Sequence, residues 1–144
     1  MNIDGVTTGI VLDHIKAGKA MQIYNYLHLD KLNCSVAVLQ NVKSSKYGKK
    51  DIIKIDELIE LDYEMLGYID SNITVNFVKD AKLLKKEHLD LPETLTDIIQ
   101  CKNPRCITSI EQGLDHVFIL TDPEKETYRC RYCEESYHDK KKYK

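Results

Sequence analysis

The stretch DIIKI, residues 51–55, sets Lys54 between Ile53 and Ile55, the alternation of a strand with one face in a core and the other outside it. Reading outward from it gives the order of elements on both sides. Upstream, KSSKYGKK (43–50) reads as a loop, CSVAVLQNV (34–42) as a strand, GKAMQIYNYLHL (18–29) as a helix, and TGIVLDHI (8–15) as the first strand. Downstream, DYEMLGYI (62–69) makes a short helix, ITVNFV (73–78) a fourth strand, and KLLKKE (82–87) an extension or a fifth strand.

The resulting order is β-α-β-β-α-β, which predicts a ferredoxin-like sheet with both helices on one face and the other face open to a ligand or partner. Beyond it, HLDLPETLTDIIQ (88–100) contains Pro92, which breaks any continuing element, while Leu95, Ile98 and Ile99 suggest one helical turn or two. This segment reads as a linker helix. The boundary falls near residue 92, so the expected class is α+β: a sheet domain over 1–92, then a linker helix and a small all-β domain over 93–144 whose Cys101, Cys106, Cys130 and Cys133 make it zinc-binding. A domain of that size needs metal to fold.

The zinc reading rests on CKNPRC (101–106) and CRYC (130–133). A redox CxxC opens a helix after a strand and needs no second pair, whereas two short-spaced pairs supply four thiolates to tetrahedral Zn²⁺. Between the pairs, VFIL, TDPEKE and TYRC read as a hairpin that delivers Cys130 and Cys133 beside Cys101 and Cys106. One structural zinc on four cysteines is the preferred reading, with disulfides or free thiols as alternatives. With all four positions filled by protein, no open coordination site remains for catalysis. His138 is a bystander to this set, Cys34 reads as buried packing, and the tail HDKKKYK (138–144) reads as a solvated, frayed end.

Composition narrows the class. The chain has 144 residues, 42% hydrophobic and 31% charged, as expected for one domain or two small ones. No apolar run reaches the roughly 18 residues that span a membrane, and MNIDGVTTG lacks the regions of a signal peptide. The expected location is the cytoplasm, where cysteines at tight spacing bind metal or do redox chemistry more often than they pair. A zinc-ribbon nucleic-acid-binding module is the alternative reading, but it wants a basic face, and the formal net charge is −2. A phosphoryl- or acyl-processing enzyme would want arginines in the sheet domain, and every arginine lies at or beyond Arg105. Nor does the chain contain a GxGxxG, a Walker loop, an HExxH or a GxSxG.

Strand alternation also groups polar residues. Lys54, Thr74 and Asn76 share a face of the sheet, Lys86 ends the KLLKKE strand, and Asp13-His14 ends the first strand. Ammonium groups, an amide, a hydroxyl and a carboxylate suit a nucleotide, the lysines acting as point charges on phosphates. Adjacent strand residues point to opposite faces, so Asp13 and His14 are not expected to act as one acid–base dyad.

GIVLDHIKAGKA, GKKDIIKID, TVNFV, CKNPRC and CRYCEESY, in this order and spacing, resemble the regulatory chain of aspartate carbamoyltransferase over nearly all of the sequence. The resemblance implies a non-catalytic chain that forms homodimers and joins catalytic trimers in pyrimidine biosynthesis, with CTP and ATP bound as effectors by the N-terminal domain. By position it puts Asp13 at the sugar or base, Lys54 and Lys86 at ribose and phosphates, His14 beside the phosphates, Thr74 and Asn76 along the site, and backbone groups of Ile3, Asp4 and Val6 at the base. Cys101, Cys106, Cys130 and Cys133 match its zinc ligands, with Asn103 and Glu134 on loops that contact the catalytic chain. Lys102, Arg105, Arg129 and Arg131 are placed to offset the net −2 of a four-thiolate zinc site. Where this chain departs from the family, its lysine-rich loop reads as solvated, with a further phosphate contact through Lys50 as the alternative. No nucleic acid and no membrane are expected as partners.

Overall fold

The computed structural model describes residues 5–45 and 48–137. Ile3, Asp4, His138 and the basic tail therefore lie outside the described residues. The chain divides into two compact units, residues 1–90 and 91–144.

In the first unit, β1 (Gly9–Lys16), β2 (Val36–Ser44), β3 (Gly48–Ile55), β4 (Thr74–Lys79) and β5 (Lys82–His88) form one sheet in the order β2-β3-β1-β4-β5. Every neighbouring pair is antiparallel. β3 lies between β1 and β2, and β1 lies between β3 and β4, so each βαβ unit is split by an inserted strand, as the sequence order predicts. α1 (Ala20–Tyr26) and α2 (Tyr63–Ile69) make the two crossovers. Asp62 caps α2 by accepting the Met65 N–H at 3.1 Å, which satisfies one of the free amides of its first turn.

Register sorts the two faces. Ile10 pairs with Ile55 and Phe77, and Leu12 with Ile53 and Val75, all of them buried. This face carries the core, closed by Ala20 and Ile23 of α1 and Met65, Leu66 and Ile69 of α2. Residues between them in sequence form the other face.

The loop expected at 43–50 is mostly hairpin: β2 continues through Ser44 and β3 begins at Gly48. The register shifts at three places in this ladder: in β1 between Leu12 and Ile15, in β2 between Leu39 and Val42, and in the β4–β5 pairing between Phe77 and Val78. Asp51, whose carboxylate is fully enclosed (0% exposed), ties the β2 bulge to the turn that follows β1. It accepts the N–H groups of Gly18 at 2.9 Å, Ala20 at 3.2 Å and Asn41 at 3.0 Å. A buried carboxylate is stable only when saturated this way. Cys34, expected in the packed interior, instead stands half-buried just before β2, with Glu57 close enough to raise its thiol pKa further after burial itself.

The second unit holds β6 (Thr94–Thr96), β7 (Val117–Asp122) and β8 (Thr127–Cys130) in the antiparallel order β6-β7-β8, and one helical turn, α3 (Ile107–Ile110). The linker helix expected after Pro92 is not formed. Thr94, Leu95 and Thr96 pair with Ile119, Phe118 and Val117 instead. The β-branched threonines favour the extended form, and Leu95 between them is the buried residue of the alternation. Asp97 then turns the chain at φ 58° and fixes the turn through its N–H to the His116 carbonyl at 2.8 Å. Tyr128, buried in this sheet, donates its hydroxyl to the Pro92 carbonyl.

Candidate functional site

On the sheet face opposite Ile10, Leu12, Ile53 and Val75, one row crosses all five strands: Ala37, Lys54, the buried Val11, Asn76 and Lys86 are successive cross-strand partners. With neighbouring strands about 4.8 Å apart, the Cα atoms of Lys54 and Lys86 stand about 14 Å apart across three strand spacings. The Asn76 amide lies between them. The next row along holds Asp13, Thr74 and His88. The Lys54 ammonium reaches toward the N-terminal segment, since a Cβ built on Gly5 would lie 3.9 Å from its Nζ. Val6, by contrast, turns its side chain fully inward against Val11, Ile52 and Val78.

The bulge in β1 changes what alternation predicts for Asp13 and His14. His14 adopts φ 59°, and the extra residue breaks the two-residue period. Its Nδ1 comes within 3.3 Å of Thr74 Oγ1 and 4.0 Å of Asp13 Oδ2, so the two side chains stand together rather than on opposite faces. Asp13 is also paired with Lys50, Nζ to Oδ1 at 2.9 Å. Burial opposes its ionisation, but the Lys50 ammonium and the His14 N–H outweigh burial and hold the carboxyl below its ordinary 3.8. Lys50 therefore serves Asp13 in this structure, where the sequence offered it as a phosphate contact.

Beside His14 opens a cavity of about 610 Å³ lined by His14, Lys16, Ala17, Gly48, Lys49, Asp70 and Asn72. Asp70 is committed inward, its carboxylate accepting the N–H groups of Lys16 at 2.7 Å and Asn72 at 2.9 Å. The lysines and the imidazole leave this cavity suited to an anion.

The second site is built by two loops. Cys101, Cys106, Cys130 and Cys133 bring their sulfurs within 4.8 Å of one another. Cys101 and Cys133 stand 3.6 Å apart, and Cys106 and Cys130 3.7 Å. A disulfide needs about 2.05 Å, whereas zinc–sulfur bonds of about 2.3 Å set tetrahedral edges near 3.8 Å. The donor set and its spacing fit one structural zinc, which supplies a fixed tetrahedral centre and no open position.

Local bonding shapes each loop. Asn103 accepts the Cys106 N–H on its carbonyl at 3.1 Å and the Arg105 N–H on its side chain at 3.1 Å, and Ser109 donates to the same carbonyl at 2.7 Å. In the other loop, Cys130 N–H donates to Glu135 O at 3.0 Å and Glu134 N–H to Cys130 O at 2.9 Å, with Glu134 at φ 63°. Arg129, expected to offset the thiolates, gives its guanidinium to the Glu134 carbonyl at 3.2 Å. Cys101 N–H donates to His116 Nδ1 at 3.3 Å, and His116 N–H to Asp97 at 2.8 Å.

The thiols differ electrostatically. Burial pushes Cys101 up to about 12 and raises Cys130. Burial also works against the Cys106 thiolate, but the Thr108 hydroxyl and N–H overcome it and bring that thiol down to about 7. Sequence reasoning missed Thr108, His116 and Asp97, whose roles depend on contacts that no ligand spacing encodes.

Residues 1–90 match the family model of the aspartate carbamoyltransferase regulatory chain, allosteric domain, and residues 93–142 that of its metal-binding domain. The chain is similar to the aspartate carbamoyltransferase regulatory chain of Clostridium tetani, 51% identical over 95% of this chain and 96% of the relative. Against that of Clostridium botulinum strain Hall the identity is 47% over 95% and 94%. Against that of Bifidobacterium longum it is 37% over 94% and 97%.

Proposed function

Since the chain belongs to the regulatory chains of aspartate carbamoyltransferase, a non-catalytic subunit with an allosteric and a metal-binding domain, we propose that its sheet face binds nucleoside triphosphates, CTP and ATP, as effectors. The observation that carries this reading is the row Lys54–Val11–Asn76–Lys86, two lysines and an amide in one row on the face opposite Ile10 and Leu12. Asp13 and Thr74 line the adjoining row for sugar or base, His14 and the cavity beside it take phosphates, and backbone groups of Ile3, Asp4 and Val6 meet the base.

The unit from residue 93 docks the catalytic chain, and regulatory homodimers join catalytic trimers in the cytoplasm. Exposed apolar groups support this: Ile107, Ile110, Leu114 and Tyr132 lie solvent-facing on or beside the cysteine loops, with Glu134 exposed and Asn103 half-buried on the same loops. Zinc contributes by holding these loops. Effectors act by linkage, since a nucleotide shifts the assembled enzyme between activity states only as far as it binds one better than the other. An acidic protein of this kind, with a net charge of −2, is a poor match to a nucleic-acid-binding zinc ribbon.

The test is calorimetric titration of CTP and ATP, with and without Mg²⁺, into the zinc-loaded chain. Saturable binding that Lys54→Gln weakens is the expected result. Unchanged affinity in that variant would remove Lys54 from the site, and absence of binding in the assembled enzyme as well would remove the effector role.

A further inference from the structure

Thr108 is a buried polar side chain, 5% exposed, in the single turn of α3 that follows Cys106. A threonine in a helix commonly returns its hydroxyl to a carbonyl of the preceding turn. Here Oγ1 lies 3.1 Å from Cys106 Sγ, a sulfur that is itself buried (2% exposed). The neighbouring Ser109 gives its hydroxyl to the Asn103 carbonyl and does not compete for the sulfur.

The four sulfurs are therefore unequal. Cys106 and Cys130 are buried, whereas Cys101 and Cys133 are half-exposed. We infer that Thr108 is a positioning residue for the metal: its hydroxyl donates to the Cys106 thiolate, making Cys106 the anchoring ligand and leaving the Cys101–Cys133 edge as the place where metal exchange begins. This rests on the metal-centre reading above. A hydrogen bond to an ionised acceptor is roughly twice as strong as a neutral one, and partners behind the ligands govern metal affinity by about 10- to 100-fold. The bond also draws charge from one sulfur, so that thiolate differs electronically from the other three.

The test uses the full chain as wild type, Thr108→Val, which keeps shape and removes the donor, and Thr108→Ser, which keeps the donor. Zinc transfer to a chromogenic chelator and the thiolate-to-cobalt charge-transfer bands of the Co²⁺-loaded chain are read together. Thr108→Val should release zinc about 10-fold faster and shift the cobalt bands to lower energy, with Thr108→Ser close to wild type. Should Thr108→Val fail to load metal, Thr108→Ser decides: a wild-type spectrum supports the donor role, and failure to load overturns it in favour of packing. Equal release rates and identical bands in wild type and Thr108→Val overturn the inference while leaving the metal centre standing. A wild-type chain that takes up neither ion overturns both.

Discussion

Removing zinc should unfold residues 91–144 and spare the sheet unit. The second unit buries few apolar side chains, Leu95, Ile99, Val117, Phe118 and Tyr128, beside the thiols of Cys106 and Cys130. At about 1.5–3 kcal/mol each, burial of those five supplies on the order of 10 kcal/mol. Zinc held by four thiolates is worth about 10–16 kcal/mol in small domains that fold around it. The metal thus contributes at least as much as the apolar core, and a unit deprived of it cannot offset the entropy of ordering its chain. The first unit has no share in this, since its buried residues Ile10, Leu12, Ile15, Ile53, Leu66 and Val75 form a core of their own. Hydrogen exchange read by peptide mass spectrometry, before and after stoichiometric chelation, resolves the two. Peptides over Val117–Asp122 and Thr127–Cys130 should lose protection, while those over Gly9–Lys16 and Gly48–Ile55 keep it. Undiminished protection in Thr127–Cys130 after complete zinc removal would refute the reasoning, as would loss of protection in both units together.

Gly9→Ala should destabilise the sheet unit by about 3 kcal/mol, the upper end of overpacking costs, because an added Cβ would sit 2.0 Å from the Ile55 carbonyl oxygen and 3.0 Å from the Glu57 nitrogen; thermal melting would report a fall of roughly 10–20 °C. Tyr128→Phe strands the Pro92 carbonyl that the hydroxyl now satisfies and should cost about 1–3 kcal/mol in denaturant unfolding of the zinc unit. Cys130→Ala should abolish association with catalytic trimers in gel filtration while leaving nucleotide binding in place. For Asp13, the folded carboxyl titrates below 3.8, so the unfolded state binds more protons as acid is added. The Lys50–Asp13 pair therefore stabilises fully above about pH 4 and loses its contribution as pH falls through the depressed folded value. Asp13→Asn should flatten that acid limb in pH-resolved unfolding, and an unchanged limb would show that the pair contributes nothing.

What the sequence determined by itself is local. DIIKI and ITVNFV announce strands because side chains alternate every two residues, and the order of elements then leaves few sheet arrangements open. The cysteine pairs announce a metal because short spacing already brings thiolates of one loop together. Tertiary structure decided whatever depends on pairing between distant segments. Lys54 and Lys86 fall into one row only through the register of β3, β1, β4 and β5. One extra residue in β1 brings His14 to Asp13 and Thr74, against the alternation that would separate them. Thr94–Thr96 became a strand and not a helix because β7 offered it a ladder, and an apolar pattern of so few residues is compatible with either form until such a partner exists. Thr108 found Cys106 and not a carbonyl because the turn after the ligand is buried against the site. Side-chain periodicity is written into a segment, but a hydrogen bond belongs to two segments, and only folding brings both to the same place.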